Sequence, residues 1–269
     1  MSKHVIFVDC DGTLTTSTNS ISLGIKEAIN ILHDNGHAIY LCTGRSDKEI
    51  TDDILSCNFD GIIGAAGGFL KKDNQFIFQH KFDATILKDV LNFLDDNDIY
   101  YQLECFDGVY CSPIVVDYLK ESFATYFDTE TLNAWVSMYK PVEACDLNNV
   151  GKIAYMHSKL SNQQLQSVLP SSLRVYEDTF SFDPSKGEIG LSRVNKATAI
   201  DYVLSHYYPK DAISYGIGDG GNDIEMIQRC RYGIAMGNAK DSVKNIADFI
   251  TDTNDNDGLV KALQHYRLI

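Results

Sequence analysis

The pattern of apolar positions begins with a continuous run, His4-Val-Ile-Phe-Val8, of β-branched and aromatic residues that stops at Asp9-Cys-Asp-Gly12. An unbroken apolar run of this length, closed by polar residues, predicts a strand buried on both faces of a sheet. Across 22–35 the apolar positions Ile25, Ala28, Ile29 and Leu32 fall at helical spacing, and Asn35-Gly36 supplies the stop. A second apolar strand, Ala38 to Cys42, ends at Thr43-Gly-Arg45. Ser46-Asp-Lys-Glu49 then spells a capping box, which predicts a helix opening there. Strand, helix, strand, helix with short connections predicts an α/β, doubly wound, Rossmann-like parallel sheet.

After Ile63 the alternation breaks. Phe69 to Phe78 reads as a hairpin about Lys72-Asp-Asn74, and Ile86, Leu87, Val90, Leu91 and Leu94 place a helix from Asp83. Strand-like segments follow at 99–103, 108–111, 152–156 and 173–176, with a polar helix near 162–169 and helical spacing opening the otherwise unpatterned stretch 113–147. The α/β rhythm resumes near 195. It has a helix over 196–207, strand 212–217, helix to Ile227, strand 232–236, helix 241–247, strand 249–251 and a last helix from Gly258. Both ends of the chain, 1–81 and 188–269, are therefore expected to form one parallel-sheet core. The segment 82–187 is expected to be an inserted α+β domain.

Composition narrows the function. Of 269 residues 44% are hydrophobic, which suits a globular chain, and the formal charge of −14 argues against a nucleic acid or anionic membrane partner. No apolar run reaches the ~18 residues of a membrane span. The first apolar run ends on a carboxylate, so no signal peptide is expected. Seven cysteines without a Cys-x-x-Cys pair imply neither a zinc site nor a disulfide framework, but reduced thiols in a cytoplasmic protein.

Three polar clusters fall at predicted strand ends, where open parallel sheets bind ligands: Asp9/Asp11, Thr43/Arg45 and Asp219/Asn222/Asp223. Lys196 opens a predicted helix. Carboxylates converging on one spot repel by about 4 kcal/mol per pair at ~4 Å and an effective dielectric near 20, and a hard oxygen-seeking cation such as Mg²⁺ relieves that. Lys196, the Thr43 hydroxyl and backbone N–H groups around Gly44 would suit the oxygens of a phosphoryl group. With no His or Cys base nearby, a carboxylate is left as nucleophile. In an Asp-x-Asp strand end, residues i and i+2 point the same way, so Asp9 can attack while Asp11 reaches the leaving oxygen.

Asp9-Cys-Asp-Gly-Thr-Leu-Thr15 resembles the first signature of haloacid-dehalogenase (HAD) phosphatases, and Thr43-Gly-Arg45, Lys196 and Gly218-Asp-Gly-Gly-Asn-Asp223 resemble the other three. Asp223-Ile-Glu-Met226, Gly233-Ile-Ala-Met-Gly-Asn-Ala239 and Asp257-Gly258 are similar to the Cof-type branch, whose type IIB cap is inserted between the second and third signatures. The resemblance implies a Mg²⁺-dependent phosphatase acting through an aspartyl-phosphate on a small phosphorylated metabolite, with a sugar phosphate expected first. It implies Asp9 as nucleophile and metal ligand, and Asp11 as general acid/base with its carbonyl on the metal. Asp219 would be the third ligand, supported by Asp223. Thr43, Gly44 and Lys196 would hold phosphoryl oxygens, with Arg45 and Asn222 facing the substrate or phosphate. Two departures stand out: Ala66-Gly67-Gly68 replaces the family's Asn-Gly-Ala, removing a substrate-facing amide, and Ala197 follows the lysine where Gly is common. The alternatives are a phosphomutase or phosphotransferase of the same superfamily, and a non-catalytic module that binds phosphometabolites. A monomer or weak homo-oligomer is expected.

Other features carry less. Asp252 to Gly258 imitates a calcium loop, but Asp257 stands at its sixth position and Leu263 at its twelfth, so an EF-hand fails. Tyr100, Tyr101, Phe106, Tyr110, Phe123, Tyr126, Phe127, Trp135 and Tyr139 are expected to be the core of the inserted domain rather than a pocket lining. Lys152, Arg174 and Lys186 are candidate substrate contacts.

Overall fold

A computed structural model describes residues 4–125, 128–177 and 185–269. In chain order, β1 (His4–Val8) leads through a wound turn at Cys10–Leu14 to α1 (Leu23–Asp34), β2 (Ala38–Cys42), α2 (Asp52–Leu55) and β3 (Gly61–Gly64). The hairpin strands β4 (Phe69–Lys72) and β5 (Gln75–Gln79) follow. A second group runs α3 (Ala84–Asp96), β6 (Tyr100–Cys105), β7 (Gly108–Cys111), α4 (Pro113–Phe123), α5 (Thr129–Val136), β8 (Lys140–Pro141), β9 (Val150–Met156), α6 (Asn162–Val168), β10 (Leu173–Glu177) and β11 (Gly187–Leu191). The chain closes with α7 (Lys196–Tyr207), β12 (Ile213–Gly218), α8 (Ile224–Arg229), β13 (Tyr232–Ala235), α9 (Asp241–Lys244), β14 (Phe249–Ile250) and α10 (Gly258–His265). Two compact units result: one of 1–45, 49–79 and 194–269, the other of 46–48 and 80–193.

The first unit holds an eight-stranded sheet in the order β14-β13-β12-β1-β2-β3-β4-β5. β14 to β3 are parallel, and the β4–β5 hairpin joins antiparallel at the edge. Its two-residue loop, Asp73-Asn74, has both φ positive, as a twist-matched hairpin turn requires. Because β1 pairs β2 on one side and β12 on the other, the strand order reverses at β1. The carboxyl ends of β1, β2 and β12 therefore open on a topological switch point. Val5, Phe7, Tyr40 and Cys42 pack on one sheet face with Ala199, Ile200 and Val203 of α7 and Met226 of α8. Each fully buried aliphatic or aromatic side chain there contributes ~1.5–3 kcal/mol.

The second unit holds a six-stranded sheet, β10-β11-β9-β6-β7-β8, antiparallel except for β7–β8. Alternation along its strands separates two clusters. Tyr101, Leu103, Ile153 and Tyr155 pack with Leu87, Leu94 and Leu165 of α3 and α6, while Tyr100, Cys111 and Met156 pack with Val115, Leu119 and Trp135 of α4 and α5. Tyr101, Tyr110, Tyr100, Phe123, Trp135 and Tyr139 all belong to one or other cluster, and Phe106 is buried. That is the core role expected for them. Tyr126 and Phe127 lie outside the described residues.

Three local expectations give way. Ser46 opens only a single turn over Asp47–Glu49, and the helix proper starts after Thr51, where Asp52 and Asp53 occupy the first turn and suit its dipole. Gly187–Leu191, which the expected junction at 187/188 assigned almost wholly to the parallel-sheet core, pairs antiparallel with β9 and β10. Its two glycines, residues depleted in strands, leave only Ile189 and Leu191 to mark it. The helix expected over 241–247 ends at Lys244.

Candidate active site

The site is built from the residues that follow three neighbouring strands. Asp9 leaves β1 with its N–H donating to Ile217 O of β12 at 2.9 Å, so the ladder continues to the carboxylate itself. Gly12 takes φ +76° in the following turn, and a Cβ there would stand 2.5 Å from Asp219 Oδ2. Only glycine lets the turn approach Asp219 this closely. Thr13 Oγ1 donates to Asp219 Oδ1 at 2.9 Å, and Asn238 Nδ2 donates to Gly12 O at 2.8 Å.

Lys196 is completely buried at the start of α7. The helix is fixed by a capping box in which Asn195 and Thr198 satisfy each other's backbone N–H groups. Gly67, at φ +102°, lets its loop lie against Asn195, because a Cβ would sit 2.2 Å from Asn195 O. The Lys196 ammonium donates to Asp9 Oδ1 and to Asp223 Oδ1, each at 2.5 Å. Asp223 Oδ2 accepts the backbone N–H groups of Asp219 (3.0 Å) and Gly220 (2.8 Å). Asp223 thus holds the loop that presents Asp219 through Oδ2 and the Lys196 ammonium through Oδ1.

Asp9, Asp219 and Asp223 each offer an oxygen within 4.8 Å of the others. Burial, then the Asp223 charge, pushes the Asp9 carboxyl well above the usual range, against the pull of Lys196. Burial and Asp223 likewise push Asp219 up to about 6, opposed by the Thr13 hydrogen bond and Lys196. For Lys196, burial disfavours the charge, but Asp223 and Asp9 outweigh it and the ammonium is held protonated. Two buried carboxylates and a half-buried one around one ammonium leave negative charge in excess. Such an all-oxygen donor set fits a hard divalent cation such as Mg²⁺.

Thr43 is buried after β2, and its Oγ1 accepts the Arg45 N–H at 3.1 Å. Gly44 adjoins Asn222: a Cβ on Gly44 would lie 3.3 Å from Asn222 Nδ2. The segments carrying Gly44 and Asn222 therefore adjoin. The guanidinium of Arg45, expected to face substrate or phosphate, forks onto the Asp11 carboxylate. Nε lies 3.0 Å from Oδ2 and Nη2 2.5 Å from Oδ1.

Sequence reasoning gave no role to Thr13, Asn238 or Asn195. The first two stand inside the motifs read above, and Asn195 carries an N-cap spelling. The three candidate contacts of the second unit have partners of their own. Lys152 pairs with Glu188 at 2.8 Å and Glu104 at 3.1 Å, while Arg174 lies over the Tyr176 ring and Lys186 over the Tyr118 and Phe123 rings.

No helix among the described residues is long and apolar enough to cross a membrane. Residues 6–263 match the family model of haloacid dehalogenase-like hydrolases. The chain is 26% identical to the Bacillus subtilis 5-amino-6-(5-phospho-D-ribitylamino)uracil phosphatase YitU, over 98% of this chain and 97% of that one. It is 22% identical to a phosphoglycolate phosphatase of Methanobrevibacter smithii over the full length of both. Among solved structures, the HAD phosphatase BT1666 of Bacteroides thetaiotaomicron superposes with TM-score 0.80 at 26% identity, over 100% of this chain and 96% of that one. The HAD subclass IIB sugar phosphatase BT4131 does so with TM-score 0.79 at 25% identity, over 99% and 100%. With its parallel-sheet core and its four signatures along one chain, the protein belongs to the haloacid dehalogenase-like hydrolase family, as a Cof-type phosphoric monoester hydrolase.

Proposed function

We propose that the protein is a Mg²⁺-dependent phosphatase that hydrolyses a sugar phosphate, or a phosphate ester of a similar polyhydroxylated chain, through a phosphorylated Asp9. The observation that carries this reading is Asp9 itself, a buried carboxylate held by a buried ammonium at 2.5 Å with Asp219 beside it. Asp9 and Asp219, with the Asp11 carbonyl, would hold the cation, and Asp223 would brace the Asp219 loop. Mg²⁺ bound there supplies charge neutralisation for the phosphoryl oxygens.

Asp9 attacks phosphorus, the bond to the leaving oxygen breaks, and Asp11 passes its proton to that oxygen. Asp11 then takes a proton from water as the water attacks the phosphorus of the aspartyl ester, freeing phosphate and restoring Asp9. Lys196 aims the Asp9 oxygen and balances charge, while the Thr43 hydroxyl and the N–H groups near Gly44 and Asn222 receive phosphoryl oxygens. Positioning and charge compensation carry most of the acceleration in such a transfer. The second unit, proposed as the type IIB cap, excludes water and selects substrate.

The substrate class draws on similarity to the sugar phosphatase BT4131 and to relatives named for a phosphoribityl substrate. A phosphate-release screen over sugar phosphates, phosphoribityl compounds and other phosphometabolites, with and without Mg²⁺, tests it. Release confined to Mg²⁺ and to polyhydroxylated monoesters is the expected result. Release without any divalent ion contradicts the metal role, and transfer of the phosphoryl group to a second sugar hydroxyl would make the enzyme a mutase.

A further inference from the structure

Arg45 is held at both its backbone and its side chain. Its N–H donates to Thr43 Oγ1 at 3.1 Å, and its carbonyl accepts the Ala65 N–H at 2.8 Å. The neighbouring Ala66 N–H bonds Thr43 O at 3.0 Å, so the loop after β3 clamps the whole 43–45 turn. Ala65 and Ala66 hold positive φ values of 48° and 53°, the conformation that aims these two N–H groups at the turn. At the other end of the side chain, Nη1 donates to Glu49 O at 3.2 Å, while Nε and Nη2 grip both Asp11 oxygens. All three guanidinium nitrogens are committed, two of them to one carboxylate in the planar fork geometry that only arginine offers. Arg45 and Asp11 are both partly shielded, at 20% and 28% side-chain exposure, so the fork is not an open surface pair.

We infer that Arg45 acts on the reaction through Asp11, as a positioning residue for the proton donor, and not as a ligand of the phosphoryl group. The inference rests on the reading of Asp11 given above. In the transfer step the bond from Asp9 oxygen to phosphorus forms, the bond from phosphorus to the leaving oxygen breaks, and the Asp11 proton goes to that oxygen. The fork fixes the plane of the Asp11 carboxyl group. A group working this way matters only as far as the leaving oxygen needs a proton. A phosphate ligand matters equally for every ester.

Two esters with the same phosphoryl group separate these roles: an alkyl phosphate, whose alkoxide must be protonated, and a dinitrophenyl phosphate, whose phenolate departs unaided. Single-turnover release of the alcohol or phenol isolates the first step from hydrolysis of the phosphorylated enzyme. In Arg45→Met the alkyl ester should slow about 10–100-fold, within the range of general acid catalysis, and the dinitrophenyl ester less than about threefold. Added to Asp11→Asn, the substitution should cause no further loss. Arg45→Lys keeps a cation without the fork, and should keep the wild-type KM for both esters while losing rate on the alkyl ester alone. Equal loss on both esters, loss carried in KM, or further loss in the Asp11→Asn background would overturn the inference and return Arg45 to the phosphate. Wild-type enzyme releasing phosphate from neither ester would instead overturn the phosphatase reading on which it rests.

Discussion

Each unit of the molecule buries one lysine between two carboxylates, and the two triads differ in what surrounds them. In the second unit Lys152 stands on β9 opposite its register partner Glu104 of β6, with Glu188 on β11 at its other side. These are lateral neighbours on one sheet face, set by the ladder spacing. In the first unit Lys196, at a helix start, meets Asp9 from a strand end and Asp223 from the turn before α8, and a third acid, Asp219, comes within reach. The Lys152 set is made by regular structure and holds the sheet together. The Lys196 set is made where regular structure stops, and its surplus of negative charge suits a hard cation.

Substitutions can break that contrast. The largest effect belongs to Asp9→Asn, which leaves no nucleophile and should lower kcat by at least about 10⁴, measured as phosphate release at saturating Mg²⁺. Next come the two lysines as a pair. Lys196→Met and Lys152→Met should each cost ~3–5 kcal/mol in denaturant unfolding, the usual penalty for stranding buried partners. Only the first should abolish turnover of a small aryl phosphate. Equal loss of activity in both variants would refute the distinction between them.

Smaller changes sharpen it. Gly12→Ala imposes left-handed strain of ~1–2 kcal/mol and drives a methyl toward Asp219 Oδ2, so turnover should drop by about 10²-fold with a raised Mg²⁺ requirement. Thr13→Val removes one hydrogen bond worth ~1 kcal/mol, and a Mg²⁺ titration should show only a several-fold weaker half-saturation point.

The strands that position the site were legible because each is a short apolar run ended by a polar cluster: His4–Val8 and Ala38–Cys42 lie where the pattern puts them. β11 was not, since Gly187 and Gly190 leave Ile189 and Leu191 as its only apolar residues and its pairing comes wholly from β9 and β10. Asp9 and Asp11 could be picked out by their i, i+2 spacing at a strand end. Their cationic partners could not be assigned that way. Lys196 reaches Asp9 across 187 positions, and the fork of Arg45 on Asp11 depends on a turn clamped by the Ala65–Ala66 loop. Residue type says that arginine seeks an anion, but several anions were in range. The helix expected at Ser46 shows the same limit at short range, because the capping spelling was present while the chain continued only one turn.

The most direct measurement is the location of phosphate during turnover. An Asp11→Asn enzyme mixed with dinitrophenyl phosphate and Mg²⁺, quenched in acid and mapped by peptide mass spectrometry, should carry one phosphoryl group on Asp9, absent when Mg²⁺ is chelated. A phosphoryl group on any other residue, or phenol release with Asp9 unmodified at every quench time, would contradict the account.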